Sequence, residues 1–154
     1  MSRTEEIRYI ARNRKAWRDY EIGDRYEAGI ELKGSEVKSI REGKIDLSDA
    51  YAVVEGNQVI LRNLHISPYK MTTDEIQEPL RPRRLLLHKK EIRRLTIRTE
   101  QRGMTLIPIA VYLKGKLVKI ELALAVGRKK YDKRQAIAKA EADRSIKKAL
   151  RKDM

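Results

Sequence analysis

The 154 residues fit one domain with room for a tail, and they carry 36 Lys and Arg against 22 Asp and Glu, a net charge of +14. An excess this large implies a polyanionic partner. With no Cys and only His65 and His88, disulfides and thiolate metal sites are excluded, and a zinc or His-based catalytic centre has little to be built from.

Without Phe, the core must come from Ile, Leu, Val and Ala, with seven Tyr for half-wet positions. No apolar run approaches the ~20 residues of a membrane span, and the polar start leads into no signal-peptide run. The expectation is a cytoplasmic protein with no membrane role.

In chain order, residues 26–32 alternate, with Tyr26, Ala28, Ile30 and Leu32 on one face and Glu27 and Glu31 on the other, which predicts a half-buried strand. Residues 34–43 predict a two-turn helix: Ser35 can cap it, Val37 and Ile40 share a face, and Gly43 suits the left-handed residue past its end. Apolar runs at 51–55 and 58–64, split by Gly56-Asn57, predict a hairpin. Residues 67–84 hold three of the four prolines and no period, and read as a long loop.

Leu85, Leu86 and Leu87 then lead into a charged helix, with Ile92 and Leu95 on one face and Gly103 as its stop. Runs at 106–113 and 117–126 flank Lys114-Gly115-Lys116, a three-residue hairpin loop. Pro108 cannot donate to a ladder, so its strand lies at an edge or bulges there. The fold class is mainly β: a small closed antiparallel barrel with two to three helices.

Residues 127–154 differ in kind. They contain eleven Lys or Arg and four acids, a net of +7, with a thin apolar stripe. This predicts a barrel at 1–126 and a basic tail at 127–154, mobile when free and helical on a polyanion. In the tail, Gly127-Arg128-Lys129-Lys130-Tyr131-Asp132-Lys133-Arg134 surrounds one aromatic ring with charges, a composition suited to phosphate contacts and one stacked base.

No Gly-rich phosphate loop, no Ser with a His base and no grouped carboxylates stand out, so neither a catalytic residue nor a cofactor is assigned. Composition alone reaches a binder of RNA or DNA.

Several strings in order carry more: Ile10-Ala11-Arg12-Asn13-Arg14-Lys15-Ala16, Asp19-Tyr20, Glu27-Ala28-Gly29-Ile30, residues 34–41, Leu47-Ser48-Asp49-Ala50-Tyr51, residues 65–69, Arg84-Leu85-Leu86-Leu87, and residues 129–134. Together they resemble the small protein B family, the SsrA-binding proteins, over about residues 7 to 134. The resemblance implies an oligonucleotide-binding-like barrel of about six antiparallel strands. It implies binding to the tRNA-like domain of transfer-messenger RNA (tmRNA), one protein per RNA. Delivery to stalled ribosomes with GTP-bound elongation factor Tu would follow, the tail entering the empty messenger channel near the decoding centre of the small subunit.

Carried over by position, Glu27, Leu86 and His88 match the tmRNA-binding surface, with Asn13, Arg14 and Lys15 as an adjoining phosphate-contacting stretch. By pattern alone Leu86 could equally be core. Gly127, Arg128, Lys129, Tyr131, Asp132, Lys133 and Arg134 match the ribosome-facing tail. There Tyr131 would stack on a ribosomal RNA base, while Lys133 and Arg134 would hold phosphates. Arg18 departs from the His usual at its position.

Overall fold

The computed structural model describes residues 6–70, 77–101 and 103–128. Its first half runs β1 (Ile7–Arg12), α1 (Arg14–Asp19), β2 (Tyr20–Ile30), α2 (Gly34–Arg41), β3 (Ile45–Asp46), β4 (Tyr51–Glu55) and β5 (Gln58–Arg62). The second half runs β6 (His65–Ile66), β7 (Arg83–Leu86), α3 (Lys89–Thr99), β8 (Met104–Lys114) and β9 (Leu117–Gly127). The fold is mainly β, as expected.

Seven strands form one antiparallel sheet in the order β1-β8-β4-β5-β7-β2-β9, and β8 also pairs with β9. The pairing therefore returns on itself through β8, β4, β5, β7, β2 and β9, with β1 added on β8. The link between β4 and β8 is a single pair, Ala52 with Leu106. Pro108 sits where β8 bulges, between Pro108 and Ala110. On one side of the bulge β8 meets β4, and on the other it meets β1 from Ala110 onward. The missing N–H of Pro108 thus falls at the changeover.

Both hairpins close through two residues. Glu55 pairs with Gln58 and Lys114 with Leu117, so the second loop is Gly115-Lys116, one residue shorter than its sequence predicts. Gly56 and Gly115 have φ of +62° and +60°, the positive first position of a type II′ turn.

The start of α2 corrects another expectation. Ser35 lies inside the helix, 3% exposed, and the Lys33 N–H is satisfied by Glu36 Oε1 at 2.8 Å. The elements β1, α1 and the first half of β2 have no counterpart in the sequence reading. The segment 67–84 is irregular where described, except that Arg83 and Arg84 already belong to β7.

The main core gathers Ala28, Ile40, Leu61, Leu64, Leu85, Leu95, Leu106, Ile120, Leu122 and Leu124, each contributing about 1.5–3 kcal/mol if an aliphatic side chain is fully buried. A second cluster lies on the opposite side of β8 and β9. Ala16 of α1 packs there on Ile107, Ile109, Ala123 and Ala125, with Tyr20 and Ile22 beside them. The small residues at 123 and 125 let α1 lie close on the outside of the sheet.

One charge pair sits in the interior. Arg83 is 1% exposed, and its guanidinium donates to Glu36 Oε2 at 2.6 Å, the Leu64 carbonyl at 2.7 Å and the Pro79 carbonyl at 3.2 Å. Burial pushes the Glu36 carboxyl up, but donors from Arg81, the Lys33 amide and Arg83 outweigh it and hold the group below the usual range.

Candidate nucleic-acid interface

Sheet register aligns one outward row across five strands: Leu86 pairs with Gly29, Gly29 with Lys119, Lys119 with Tyr112, and Tyr112 with Tyr9. Directly paired residues share a face, so these side chains stand together. Leu86 is 46% exposed while Leu85 is 1% exposed, which settles the choice left open by pattern. Gly29 makes room for it: a Cβ at that position would lie 3.3 Å from the Leu86 Cβ. His88 follows as the exposed N-cap of α3, its N–H donating to Glu91 Oε1 at 3.2 Å.

Glu27 lies two residues before Gly29, on the same face. Tyr112 Oη donates to Glu27 Oε2 at 2.5 Å, and Lys114 Nζ lies 3.4 Å from Oε1. The tyrosine hydrogen bond is the main reason the Glu27 carboxyl sits below its usual range, with Lys114 and Lys119 adding to it. Tyr112 in turn is pushed well above the usual phenol range by burial and by the carboxylate it serves. Glu121 stands directly opposite Glu27, and Arg25 Nη1, 3.4 Å from Glu121 Oε1, offsets the like-charge pair.

Aromatic and guanidinium planes border this carboxylate. The Tyr9 and Tyr112 ring centroids are 5.4 Å apart, and the Arg12 guanidinium lies 4.1 Å above the Tyr9 ring. On the α1 side, Arg25 lies 4.9 Å from the Trp17 ring, which is 43% exposed. Arginines laid over the exposed Tyr9 and Trp17 rings beside a fixed acceptor suit an irregular nucleic acid with unpaired bases.

The stretch Asn13, Arg14, Lys15 divides. Arg14 and Lys15 are exposed, Lys15 pairing with Asp49 at 3.2 Å. The expectation that Asn13 offers its side chain to phosphates is corrected: it is 3% exposed and fully engaged. Its Oδ1 accepts from the Ala16 N–H at 3.1 Å, and its Nδ2 donates to the carbonyls of Leu47 and Pro108. Asn13 caps α1 and ties it to the β8 bulge and the turn before β4.

At the other end, Gly127 pairs with Tyr20, and Arg128 reaches Glu21 at 3.2 Å. Lys129, Tyr131, Asp132, Lys133 and Arg134 lie outside the described residues. Sequence reasoning missed Tyr9, Arg12, Arg25 and Tyr112. The one available signal was the alternation of β8 and β9, which puts Tyr112 on the same side as Lys119.

The profile of a family described as "SmpB protein" matches residues 10–152. The chain is similar to the SsrA-binding protein of Halothermothrix orenii, 54% identical over 147 residues that cover 96% of this chain and 95% of that one. It is also similar to the SsrA-binding protein of Clostridium acetobutylicum, 52% identical over 142 residues and 92% of each chain. Among solved structures, a chain described as "tmRNA-SmpB: a journey to the center of the bacterial ribosome" is 47% identical, with a TM-score of 0.65 over 76% of this chain and 82% of that one.

Proposed function

The chain belongs to the SmpB protein family, and from that premise we propose that it binds the tRNA-like domain of tmRNA and brings it to stalled ribosomes in trans-translation. It acts in the cytoplasm as an adaptor, by binding rather than by catalysis. The observation that carries this reading is the shared face of Glu27 and Leu86. Far apart in sequence, they stand diagonally across β2 and β7 on a surface edged by Arg12, Arg25 and Lys119.

A carboxylate there repels phosphate, so its use is to accept from base amino groups or ribose hydroxyls. It supplies selectivity where the cations supply affinity. Leu86 offers an apolar surface for a base or sugar, while Arg14 and Lys15 extend the cationic border.

The closed ring of six strands supports reading residues 1–126 as an oligonucleotide-binding-like barrel. Residues 127–154 form the tail that enters the messenger channel. Delivery engages GTP-bound elongation factor Tu, with one copy of the protein on each tmRNA.

Fluorescence anisotropy with the tRNA-like domain, against alanine tRNA and an unrelated hairpin at about 0.15 M salt, tests the reading. Purely electrostatic binding is weak there. A preference of about a hundredfold or more for the tRNA-like domain is expected, since specific binding exceeds non-specific binding by about a thousandfold upward. A chain truncated after Gly127 keeps that preference and loses peptide tagging in a reconstituted ribosome assay. Equal binding to all three RNAs would reduce the chain to a generic basic RNA binder of the ribosomal-protein kind.

A further inference from the structure

We propose that Tyr112 is a positioning residue for RNA recognition, its buried hydroxyl holding the Glu27 carboxylate in one orientation with its free acceptor sites turned to RNA donors. The inference rests on the RNA-face reading above and deepens it.

Tyr112 is 6% exposed, so it offers RNA almost no surface of its own. Its ring is set by Tyr9, which Arg12 covers, and its hydroxyl donates to Glu27 Oε2. Glu27 itself keeps a 40% exposed side chain on a sheet surface that would otherwise let it rotate. A phenol bond to one oxygen and an ammonium near the other remove that freedom before RNA arrives. Each oxygen still has a lone pair unused, since a carboxylate can accept about four hydrogen bonds.

Preorganisation of this kind lowers the ordering cost of binding. It also keeps the carboxylate ionised. Among the described residues, the charged or titratable groups around Glu27 are Tyr112 and Lys114 of β8, Lys119 and Glu121 of β9, and Arg25 of its own strand; Tyr112, Lys114 and Lys119 favour the ionised form. Of these, only Tyr112 is both buried and bonded at short range.

Three variants of the full chain decide the matter: Glu27→Gln, Tyr112→Phe and the two combined, each titrated with the tRNA-like domain of tmRNA between about pH 5 and 8. Glu27→Gln weakens binding by about tenfold, the loss of one charge-assisted hydrogen bond. Tyr112→Phe keeps the ring packing and loses several-fold at neutral pH, more at pH 5. The double variant binds no worse than Glu27→Gln. A side-chain carbon titration of Glu27 by NMR gives a second readout, its midpoint rising in Tyr112→Phe.

Losses that add in the double variant would make Tyr112 an RNA-touching residue and overturn the proposal. So would a Tyr112→Phe chain that binds as the parent does at every pH while Glu27→Gln is impaired. If Tyr112→Phe unfolds, Lys114→Gln removes the other restraint from an exposed position, and it too must weaken binding through Glu27. A parent chain that fails to prefer the tRNA-like domain would instead sink the RNA-face reading.

Discussion

Two glutamates among the described residues have depressed pKa values, and they do opposite work. Glu36 is 8% exposed and its oxygens are used up by Arg83, Arg81 and the Lys33 amide. Glu27 is on the surface, held by Tyr112 and Lys114 with acceptor sites to spare. The partners at Glu36 offset a cost of burial, so that corner specifies the fold. Those at Glu27 fix a group that solvent would otherwise satisfy, which is useful only if something binds there. What separates a structural carboxylate from a functional one is therefore the number of lone pairs left over, not the direction of its pKa shift.

The sharpest way to break this contrast is Glu36→Gln. It leaves the Arg83 guanidinium, whose side chain is 0% exposed, without a countercharge. Urea unfolding should show a loss of about 3–5 kcal/mol, with tmRNA affinity of the folded protein unchanged. Replacing both partners, as Glu36→Leu with Arg83→Met, should recover part of that loss, because the fully buried guanidinium leaves with its countercharge and Arg81, 27% exposed, can turn to solvent. The pH dependence has a definite sign. A carboxyl depressed in the folded state stabilises above its unfolded pKa, near 4.5, and that contribution fades as pH falls through the folded value. Glu36→Gln should accordingly flatten acid unfolding below about pH 4.5.

Asn13→Ala is expected next, at about 2 kcal/mol in the same unfolding measurement. It removes the α1 cap and strands the Leu47 and Pro108 carbonyls in the interior. RNA affinity falls only through the displacement of α1. If the variant instead kept its stability and lost RNA binding outright, Asn13 would belong with Glu27 on the RNA face.

Much of this contrast was hidden from the sequence. The two hairpins and α2 were legible because turn glycines and alternation are local signals, but the two-residue closure at Gly115-Lys116, and with it that hairpin's register, was not. β1 and α1, six residues each, are too short for their patterns to stand out, and what places them is long-range: the pairing of β1 with β8 and the Asn13 side chain reaching the Pro108 carbonyl. β7 was obscured by Pro82 and by Arg83, which reads as surface until its partners are known. For the site, family resemblance named Glu27 and Leu86; alternation already put Glu27 on a polar face, while the exposure of Leu86 shows only in the folded chain. Tyr112 lies 85 positions from Glu27, and no spacing rule joins a phenol to a carboxylate at that separation.

The smallest effect expected is at Lys15. Its ammonium is half-exposed and pairs with Asp49, whose side chain is 76% exposed, so the pair contributes at most about 1 kcal/mol to the fold. Lys15→Gln should therefore leave unfolding nearly unchanged while removing one cation from the border of the RNA face. The readout is the slope of log K against log salt, which falls by about 0.7–0.9 for each phosphate that is no longer neutralised. Because the substitution also frees Asp49 to repel phosphate, the loss in affinity should shrink as salt rises and both effects are screened. A salt slope equal to that of the parent would place Lys15 outside the RNA footprint and confine the border to Arg12, Arg14, Arg25 and Lys119.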